Sequence, residues 1–256
     1  MCLILFAYDC HPEYYLVVAA NRDEYYSRPS AWAHFWEDNP EVLAGRDLER
    51  WGTWLGITIR ERFAALTNYR DPASHRPNAR SRGALVRDYL FSFLEPPEYI
   101  ESLRGAEDEY NGFNLLLMGE GGLWYYSNRQ GQAEMLKPGI YGLSNRLLDT
   151  PWPKVVRGKE GLSRIVGESG EVPVEKLFNL LSDRERARDE ELPDTGVSLK
   201  WERLLSPMFI ESETYGTRAS TAVIINRSGR VLFVERSFGA GGVRIGEDVS
   251  YQFDLR

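Results

Sequence analysis

The sequence predicts an α+β protein, a four-layer αββα sandwich made of two antiparallel sheets. Strand-like runs follow one another in hairpins, which favours antiparallel pairing. The helical segments come in pairs between groups of strands, and such pairs suit a helical layer outside each of two sheets. The 256 residues contain no internal repeat, low-complexity tract or linker, so we expect a single domain over residues 1–256.

Strands are predicted where short runs rich in β-branched, aromatic and apolar side chains lie between turn residues. In chain order these runs are residues 2–8, 14–20, 52–58, 62–68, 112–119, 122–128, 220–226 and 230–238. The segment 134–145 leads to a further strand, and a last strand ends near Phe253. Residues 25–50 have no clear period and carry two prolines, so we expect a long surface loop there.

Helices are predicted where apolar residues recur at three- and four-residue spacing. The first covers residues 84–94 and ends before Pro96 and Pro97, where a second helix begins. A helical region follows Trp152, and residues 174–182 form the last predicted helix. The helices therefore fall into two pairs, each pair between groups of strands.

The composition excludes some classes of function. The chain has 38 acidic and 31 basic residues and a net charge of -7, which argues against general nucleic-acid binding. No apolar run approaches the ~18 residues that indicate a membrane span. The opening apolar stretch ends at Asp9 without a basic lead-in or a cleavage site, so we expect no secretory signal and a cytoplasmic protein.

Cys2 directly follows the initiator methionine and begins the first predicted strand. The simpler interpretation is a small apolar residue in a buried strand. The alternative requires that Met1 is removed. Cys2 then carries a thiol and a free α-amine, whose reference pKa of ~7.7–8.0 lets it act as a base. Nucleophile and base in one residue are typical of N-terminal nucleophile hydrolases, which use an αββα sandwich.

Candidate partners for such a thiol lie at the ends of other predicted strands. Arg22 is expected to lower the thiol pKa, and Asp23 to orient the α-amine, although a solvated charged turn is the default interpretation of a lone RDE segment. Asn68 and Asn145 are candidate oxyanion donors, and asparagine at a strand end is also a common turn residue. Arg218 is a second candidate cation.

At these residues the sequence closely resembles the NRDE family, also called the transport and Golgi organisation protein 2 family. The resemblance covers nearly the whole chain and rests on motifs in a fixed order. These motifs are ANRDE at 20–24, SRP at 27–29, GTWLGI at 52–57, ALTNYRDP at 65–72, YNGFNLL at 110–116, YGLSN at 141–145, LDTPWPKV at 148–155, LPDTG at 192–196 and YGTRAST at 215–221. One departure is Trp51, where the family usually has a glycine.

The NRDE family is similar in turn to cysteine N-terminal nucleophile hydrolases, the choloylglycine hydrolases and penicillin V acylases. That similarity implies a hydrolase of linear amide or acyl (thio)ester bonds that needs no cofactor. It also implies a catalytic role for six residues. Cys2 is the nucleophile and base, and Arg22 and Asp23 are its partners. Asn68 and Asn145 are oxyanion or amine contacts, and Arg218 is the second cation.

The family resemblance also supports a second hypothesis, because the family is associated with haem trafficking, lipid or acyl-CoA metabolism and Golgi organisation. The alternative is a protein that binds or delivers haem or a lipid-like ligand without catalysis. The three histidines lack metal-ligand spacing, so no metal site is expected. Cys10 and His11 could ligate haem iron, but a turn cysteine beside a solvent-facing histidine is the commoner arrangement.

Overall fold

A computed structural model describes residues 2–168 and 170–256. The predicted removal of Met1 therefore concerns a residue outside the described ranges. The chain divides into two compact units, and the expectation of a single domain stays a prediction. The first unit comprises Met1–Ser27, Lys137–Ser144 and Leu148–Phe253. The second comprises Arg28–Leu136, Asn145–Leu147 and Asp254–Arg256.

Strands and helices follow one another in groups along the chain. The strands are β1 (Cys2–Tyr8), β2 (Tyr14–Tyr25), β3 (Ser30–Phe35), β4 (Val42–Asp47), β5 (Leu55–Thr58), β6 (Phe63–Asn68), β7 (Phe113–Gly119), β8 (Gly122–Ser127), β9 (Ala133–Met135), β10 (Gly139–Leu143), β11 (Tyr215–Asn226), β12 (Arg230–Phe238) and β13 (Arg244–Asp254). The α-helices are α1 (Gly83–Phe91), α2 (Pro96–Ser102), α3 (Pro153–Gly167), α4 (Val174–Leu181) and α5 (Leu199–Leu205).

The first unit is built on an antiparallel sheet with the strand order β10-β1-β2-β11-β12-β13. One face of this sheet packs against α3 and α4 through a continuous apolar core. Leu3 and Leu5 contribute to that core from β1, and Leu177 and Leu181 from α4. Helix α3 approaches the sheet closely, because a Cβ atom on Gly158 would lie 2.7 Å from the methyl carbons of Leu5. The strand that begins at Cys2 is thus held on both edges and on one face.

The second unit contains the other antiparallel sheet, in which neighbouring strands follow the chain order β3-β4-β5-β6-β7-β8-β9. Helices α1 and α2 cover one face of this sheet, and their buried side chains include Leu85, Tyr89 and Tyr99. The Tyr89 and Tyr99 hydroxyls donate hydrogen bonds to the carbonyls of Met118 and Leu85. Both aromatic side chains are therefore buried without an unsatisfied polar group.

The predicted α+β class with two antiparallel sheets is confirmed. One loop prediction is wrong, and one helix was missed. Residues 25–50 are not one long loop, because they contain β3 and β4, whose pairing is irregular between Ala31 and His34 and so leaves no period in the sequence. Helix α5 was not predicted, since its seven residues are too few to establish a helical period. Within the described ranges, no helix combines the length and apolarity needed to cross a membrane.

Candidate active site

Cys2 lies at the start of β1 in the first unit, and the sheet register determines its neighbours. Cys2 pairs with Arg22 of β2, and Arg22 pairs on its other side with Ala219 of β11. Strand β2 continues beyond the predicted run 14–20 and ends with the NRDE segment, because β11 continues the pairing to Tyr25. Arg22 and Asp23 are therefore strand residues with fixed directions, and the charged-turn interpretation does not apply.

Alternation along the strands separates the NRDE side chains onto the two faces of the sheet. Residues that pair directly point to the same face, so Arg22 shares the face of Cys2. Asn21 and Asp23 point to the opposite face, where Leu3 pairs with Asn21. This second face is the one covered by α3 and α4.

Asp23 is buried, with 1% of its surface exposed, and a neighbouring threonine orients its carboxylate. Thr217 of β11 pairs with Asp23, and its hydroxyl donates a 2.8 Å hydrogen bond to Asp23 Oδ1. The same hydroxyl oxygen accepts the backbone N–H of Ile210 at 2.9 Å. Because that contact uses the oxygen as an acceptor, the hydroxyl proton is directed at the carboxylate.

Arg218 occupies a β-bulge in β11, directly opposite the NRDE segment. Thr217 pairs with Asp23 and Ala219 with Arg22, so Arg218 is the additional residue between them. The Arg218 guanidinium donates to the backbone carbonyls of Tyr25 and Tyr26, at 2.9 and 3.2 Å. Bulges redirect side chains in this way. Burial lowers the pKa of Arg218, and the nearby positive charge of Arg22 lowers it further.

The thiol of Cys2 is buried and protonated while a residue precedes it in the chain. Burial raises the pKa of the Cys2 thiol to about 11, and the Asp23 carboxylate acts in the same direction. The guanidinium of Arg22 and the backbone of Asp23 act in the opposite direction, which means that both are close to the sulfur. Desolvation exceeds these favourable contacts, so the thiol is a weak nucleophile in this form.

Asn68 and Asn145 belong to the second unit, where one supports the other. The Asn145 side chain is fully buried, and its Nδ2 donates a 2.9 Å hydrogen bond to the backbone carbonyl of Asn68. The backbone N–H of Arg70 donates to the Asn145 carbonyl at 2.8 Å. The Asn68 carboxamide makes no hydrogen bond with any residue that the structure describes. Of the two predicted donors, Asn68 is thus the one with an amide group still available.

The structure brings four of the six predicted site residues together in the first unit, at one end of β1, β2 and β11. These are Cys2, Arg22, Asp23 and Arg218. The other two contact each other in the second unit. Sequence reasoning missed Thr217, although it lies inside the YGTRAST motif. Its role depends on the register between β2 and β11, which composition does not indicate.

Asn21, the first residue of the NRDE motif, has a structural role. Its Nδ2 donates to the carbonyls of Leu181 and Met208, both at 2.9 Å, and its Oδ1 accepts the hydroxyl of Ser220 at 2.6 Å. All three contacts are buried. They join β2 to the end of α4, to the segment that precedes β11 and to β11 itself.

We expect Asn21→Ala to lower the free energy of unfolding by about 3 kcal/mol, because it leaves two buried carbonyls and one hydroxyl without a partner. Denaturant unfolding monitored by tryptophan fluorescence measures this change. Asn179→Ala is the matched control, since Asn179 is exposed on α4, and it should change stability by less than about 0.5 kcal/mol. Equal unfolding midpoints for the two variants would contradict the structural role.

The histidine beside Cys10 uses one ring nitrogen in a local turn. His11 is buried, contrary to the solvent-facing position expected, because its Nδ1 accepts the backbone N–H groups of Glu13 and Tyr14 at 3.1 and 3.3 Å. The exposed Cys10 thiol contacts the Gly139 carbonyl at 3.5 Å. Among the described residues, no group of three or more His, Cys, Asp or Glu side chains is placed to hold a metal ion.

One cavity of the first unit involves none of the predicted site residues. It has a volume of about 600 Å³ and lies where α3 meets β10. Its lining consists of Ile140, Lys159, Glu160, Ser163 and Arg164. Lys159 is engaged there in a 2.8 Å ion pair with Asp149. The cavity contains no nucleophile paired with a base, so it is not a candidate for the hydrolytic site.

Comparison with known proteins gives one family. A sequence model described as Transport and Golgi organisation 2 matches residues 1–240. The Transport and Golgi organization 2 homolog of Mus musculus is 37% identical over 276 residues, and the homolog of Bos taurus is 39% identical over 281 residues. Both alignments cover 100% of this chain and 100% of the relative. Among solved structures, the mutant C2A conjugated bile acid hydrolase from Clostridium perfringens has a TM-score of 0.45 at 9% identity, covering 100% of this chain and 92% of that chain.

Proposed function

The chain belongs to the Transport and Golgi organisation 2 family, and from this premise we propose that it is an N-terminal-cysteine hydrolase of linear amide or acyl (thio)ester bonds. The observation that carries the proposal is the position of the thiol at the end of β1. Arg22 pairs with Cys2 there, and a bulge places Arg218 beside Arg22. A buried carboxylate, that of Asp23, acts electrostatically on the same sulfur.

The proposal requires that Met1 is removed, which exposes the α-amine of Cys2. This amine is a backbone group and lies in the plane of the sheet, so groups from either face can approach it. Asp23, on the helix-covered face, is then the residue that holds the amine, while Arg22 on the other face stabilises the thiolate. The new terminus also brings water to the thiol and removes part of the desolvation that raises its pKa.

The proposed reaction has two steps. The α-amine takes the thiol proton, and the sulfur attacks the substrate carbonyl carbon to form a C–S bond and an oxyanion. When the oxyanion collapses, the bond to the leaving nitrogen, oxygen or sulfur breaks, and the leaving atom receives that proton from the amine. Water then attacks the thioester with the amine as base, which releases the carboxylic acid and restores the thiol.

The oxyanion role that the family resemblance implies for the two asparagines stays a prediction. Asn68 is the donor in that prediction, because its carboxamide makes no hydrogen bond with the described residues. Asn145 is assigned to hold the Asn68 backbone through its 2.9 Å hydrogen bond. Removal of a single oxyanion donor typically costs about 10²–10³-fold in kcat.

A carrier of haem or a lipid-like ligand is the second candidate function, and one observation favours it. While Met1 is retained, burial raises the pKa of the Cys2 thiol to about 11, so the thiol has little reactivity, whereas the guanidiniums of Arg22 and Arg218 lie close to each other. Two neighbouring guanidiniums suit the carboxylate groups of a haem or a fatty acid. This function would not depend on a free α-amine.

The test compares two N-terminal forms of the protein, one beginning at Met1 and one at Cys2. Each is incubated with a panel of acyl amides, esters and thioesters, and acyl-enzyme is measured by intact mass after acid quenching. We expect acylation and turnover only in the form that begins at Cys2, and neither in its Cys2→Ser variant. Haem titration by absorbance is run in parallel. If both forms bound haem with equal affinity and neither were acylated, the hydrolase proposal would be wrong and the carrier function would be supported.

A further inference from the structure

The outer edge of β10 carries a backbone donor and acceptor that the proposed hydrolysis does not use. Strand β10 is the last strand at its side of the first sheet. The Gly142 N–H donates to Asp149 Oδ1 at 2.8 Å, and the Gly142 carbonyl accepts the Asp149 N–H at 2.9 Å. Both backbone groups of Gly142 therefore point away from β1. Because this direction repeats at every second residue of a strand, the backbone groups of Ile140 point outward as well.

The pairing of β1 with β2 gives the same direction for Ile140. Asp9, which follows β1, donates its N–H to the Tyr15 carbonyl at 2.8 Å. Two residues earlier, the backbone groups of Ala7 are thus also directed at β2. Ala7 pairs with Ile140, so this pair of β1 and β10 exchanges no hydrogen bonds. The Ile140 N–H and carbonyl are open on the outer edge and have no hydrogen-bond partner in the part of the chain that the structure describes.

The cavity of about 600 Å³ between α3 and β10 lies beside these open backbone groups, since Ile140 lines it from the strand. Glu160, Ser163 and Arg164 line it from α3. The Glu160 carboxylate and the Ser163 hydroxyl have no partner within the described ranges. Arg164 donates there only through Nε, to the Glu160 carbonyl at 3.4 Å. The cavity is thus bordered by a carboxylate and a guanidinium that form no ion pair with each other or with any described residue.

The length of a ligand for this cavity is limited at both ends. Asp149 occupies the next outward position along β10, and Pro138, on the other side of Ile140, has no N–H to donate. An added strand could therefore pair with Ile140 alone. The charges indicate a similar length, because Glu160 and Arg164 lie about 6 Å apart along the helix axis. Two residues of an extended peptide span about 6.6 Å.

We propose that this cavity binds a dipeptide in its zwitterionic form. The amide of the dipeptide pairs with the N–H and the carbonyl of Ile140, as an added strand would. Its α-ammonium group contacts Glu160, and its terminal carboxylate accepts hydrogen bonds from Arg164. The site contains none of the residues assigned to hydrolysis. It is therefore independent of the function proposed above, and binding alone tests it.

Calorimetric titration with alanylleucine is the test, carried out on the Cys2→Ser protein so that no hydrolysis contributes. We expect Glu160→Gln and Arg164→Gln each to weaken binding about tenfold, and the double variant about 100-fold, because each change removes one charge-assisted contact. Arg188→Gln is the control, since Arg188 is an exposed residue of the same unit that pairs with Glu191.

Blocked forms of the dipeptide identify which charge meets which residue. N-acetyl-alanylleucine lacks the ammonium group, and alanylleucine amide lacks the carboxylate, so each should bind the parent protein about tenfold more weakly. Acetylation should cause no further loss in Glu160→Gln, and amidation none in Arg164→Gln, because the partner is already absent. Blocking either end without any effect on the affinity of the parent would contradict the assigned contacts.

Amide hydrogen exchange, followed by NMR, tests the contact with the strand. Saturating alanylleucine should slow the exchange of the Ile140 N–H at least about tenfold. The Gly142 N–H is the internal reference, because it is already bound to Asp149 and should change little. An Ile140 N–H that exchanges at the same rate with and without the dipeptide overturns the proposed pairing.

The affinities of the variants decide on the site as a whole. Binding of alanylleucine that is lost in the double variant and kept in Arg188→Gln supports it. Equal affinity of these two variants overturns it, as does the absence of binding to the parent protein. Thermal unfolding of each variant shows that the comparison is made on folded protein.

Discussion

Replacing Asp23 with asparagine, in the chain that begins at Cys2, is expected to lower kcat about 10³-fold. The asparagine keeps the shape of the side chain and can still accept the hydrogen bond that Thr217 donates. It lacks the negative charge that holds and polarises the α-amine in its protonated form. Steady-state hydrolysis of the best substrate from the acyl panel measures the loss, and thermal unfolding should change little.

Glu24→Gln is the matched control for Asp23→Asn. Glu24 is the next carboxylate in the chain; its Oε1 accepts the N–H of Tyr25 at 2.9 Å, and its charge acts on Arg218. We expect its hydrolysis rate to stay within about twofold of the parent. If both variants lost activity equally, the loss would come from the charge of the NRDE segment in general, and the assigned role of Asp23 would be wrong.

The Thr217→Val variant tests whether the orientation of the Asp23 carboxylate matters for activity, because it leaves the carboxylate charge in place. Without the hydroxyl, the carboxylate that holds the protonated α-amine loses its orientation, so the protonated amine is stabilised less and the acidic limb of the kcat/KM profile moves to lower pH. Thr217→Ser should restore the profile, because it returns the donor. A fall in activity without a shift of the acidic limb would indicate a structural role only.

The second large effect concerns thiol reactivity, measured as the rate of iodoacetamide alkylation in a Cys10→Ser background. With Met1 retained, the pKa of Cys2 is about 11 against an ordinary value of 9.0. At about pH 8 the thiolate fraction is therefore about 100-fold below that of an ordinary cysteine. We expect the chain that begins at Cys2 to react at least about 100-fold faster at that pH. Equal rates in the two forms would contradict the activation of the thiol by processing.

The same raised pKa makes the stability of the Met1 form depend on pH. The folded state keeps its thiol proton to higher pH than the unfolded state, so stability is fully present below pH 9 and is lost as the pH rises towards 11. The loss amounts to about 2–3 kcal/mol once both states are ionised. Cys2→Ala should lack this pH dependence, which chemical denaturation across the range would show.

Elements whose signal is local were predictable from the sequence. Strand β1 has the predicted bounds, and α4 differs by one residue, because an apolar run and a helical face each form a core without reference to distant residues. Strands β3 and β4 were missed because irregular pairing removes the period of two on which strand prediction depends. Whether the NRDE segment is strand or charged turn stayed open because β11, which pairs with it, lies far away in the chain.

Residue types alone predicted part of the candidate site. The other contacts depend on how the strands pair, which only the structure shows. Cys2, Arg22 and Asp23 could be proposed because a thiol at a new terminus needs a cation and a carboxylate. The contact of Thr217 with Asp23 joins residues 194 positions apart, and the Arg218 bulge depends on one unpaired residue in that alignment. The difference between Asn68 and Asn145 was also hidden, since it rests on which amide group is already engaged.

The buried contacts of Asn21 affect how genetic variants of the NRDE motif are interpreted. A chain that loses these three hydrogen bonds unfolds more often, and cellular proteases degrade unfolded molecules continuously. Variants at Asn21 should therefore reduce the steady-state amount of the protein, whereas Asp23→Asn should leave that amount unchanged. Both would look like loss of function in a growth assay. Immunoblotting beside that assay distinguishes a missing protein from an inactive one.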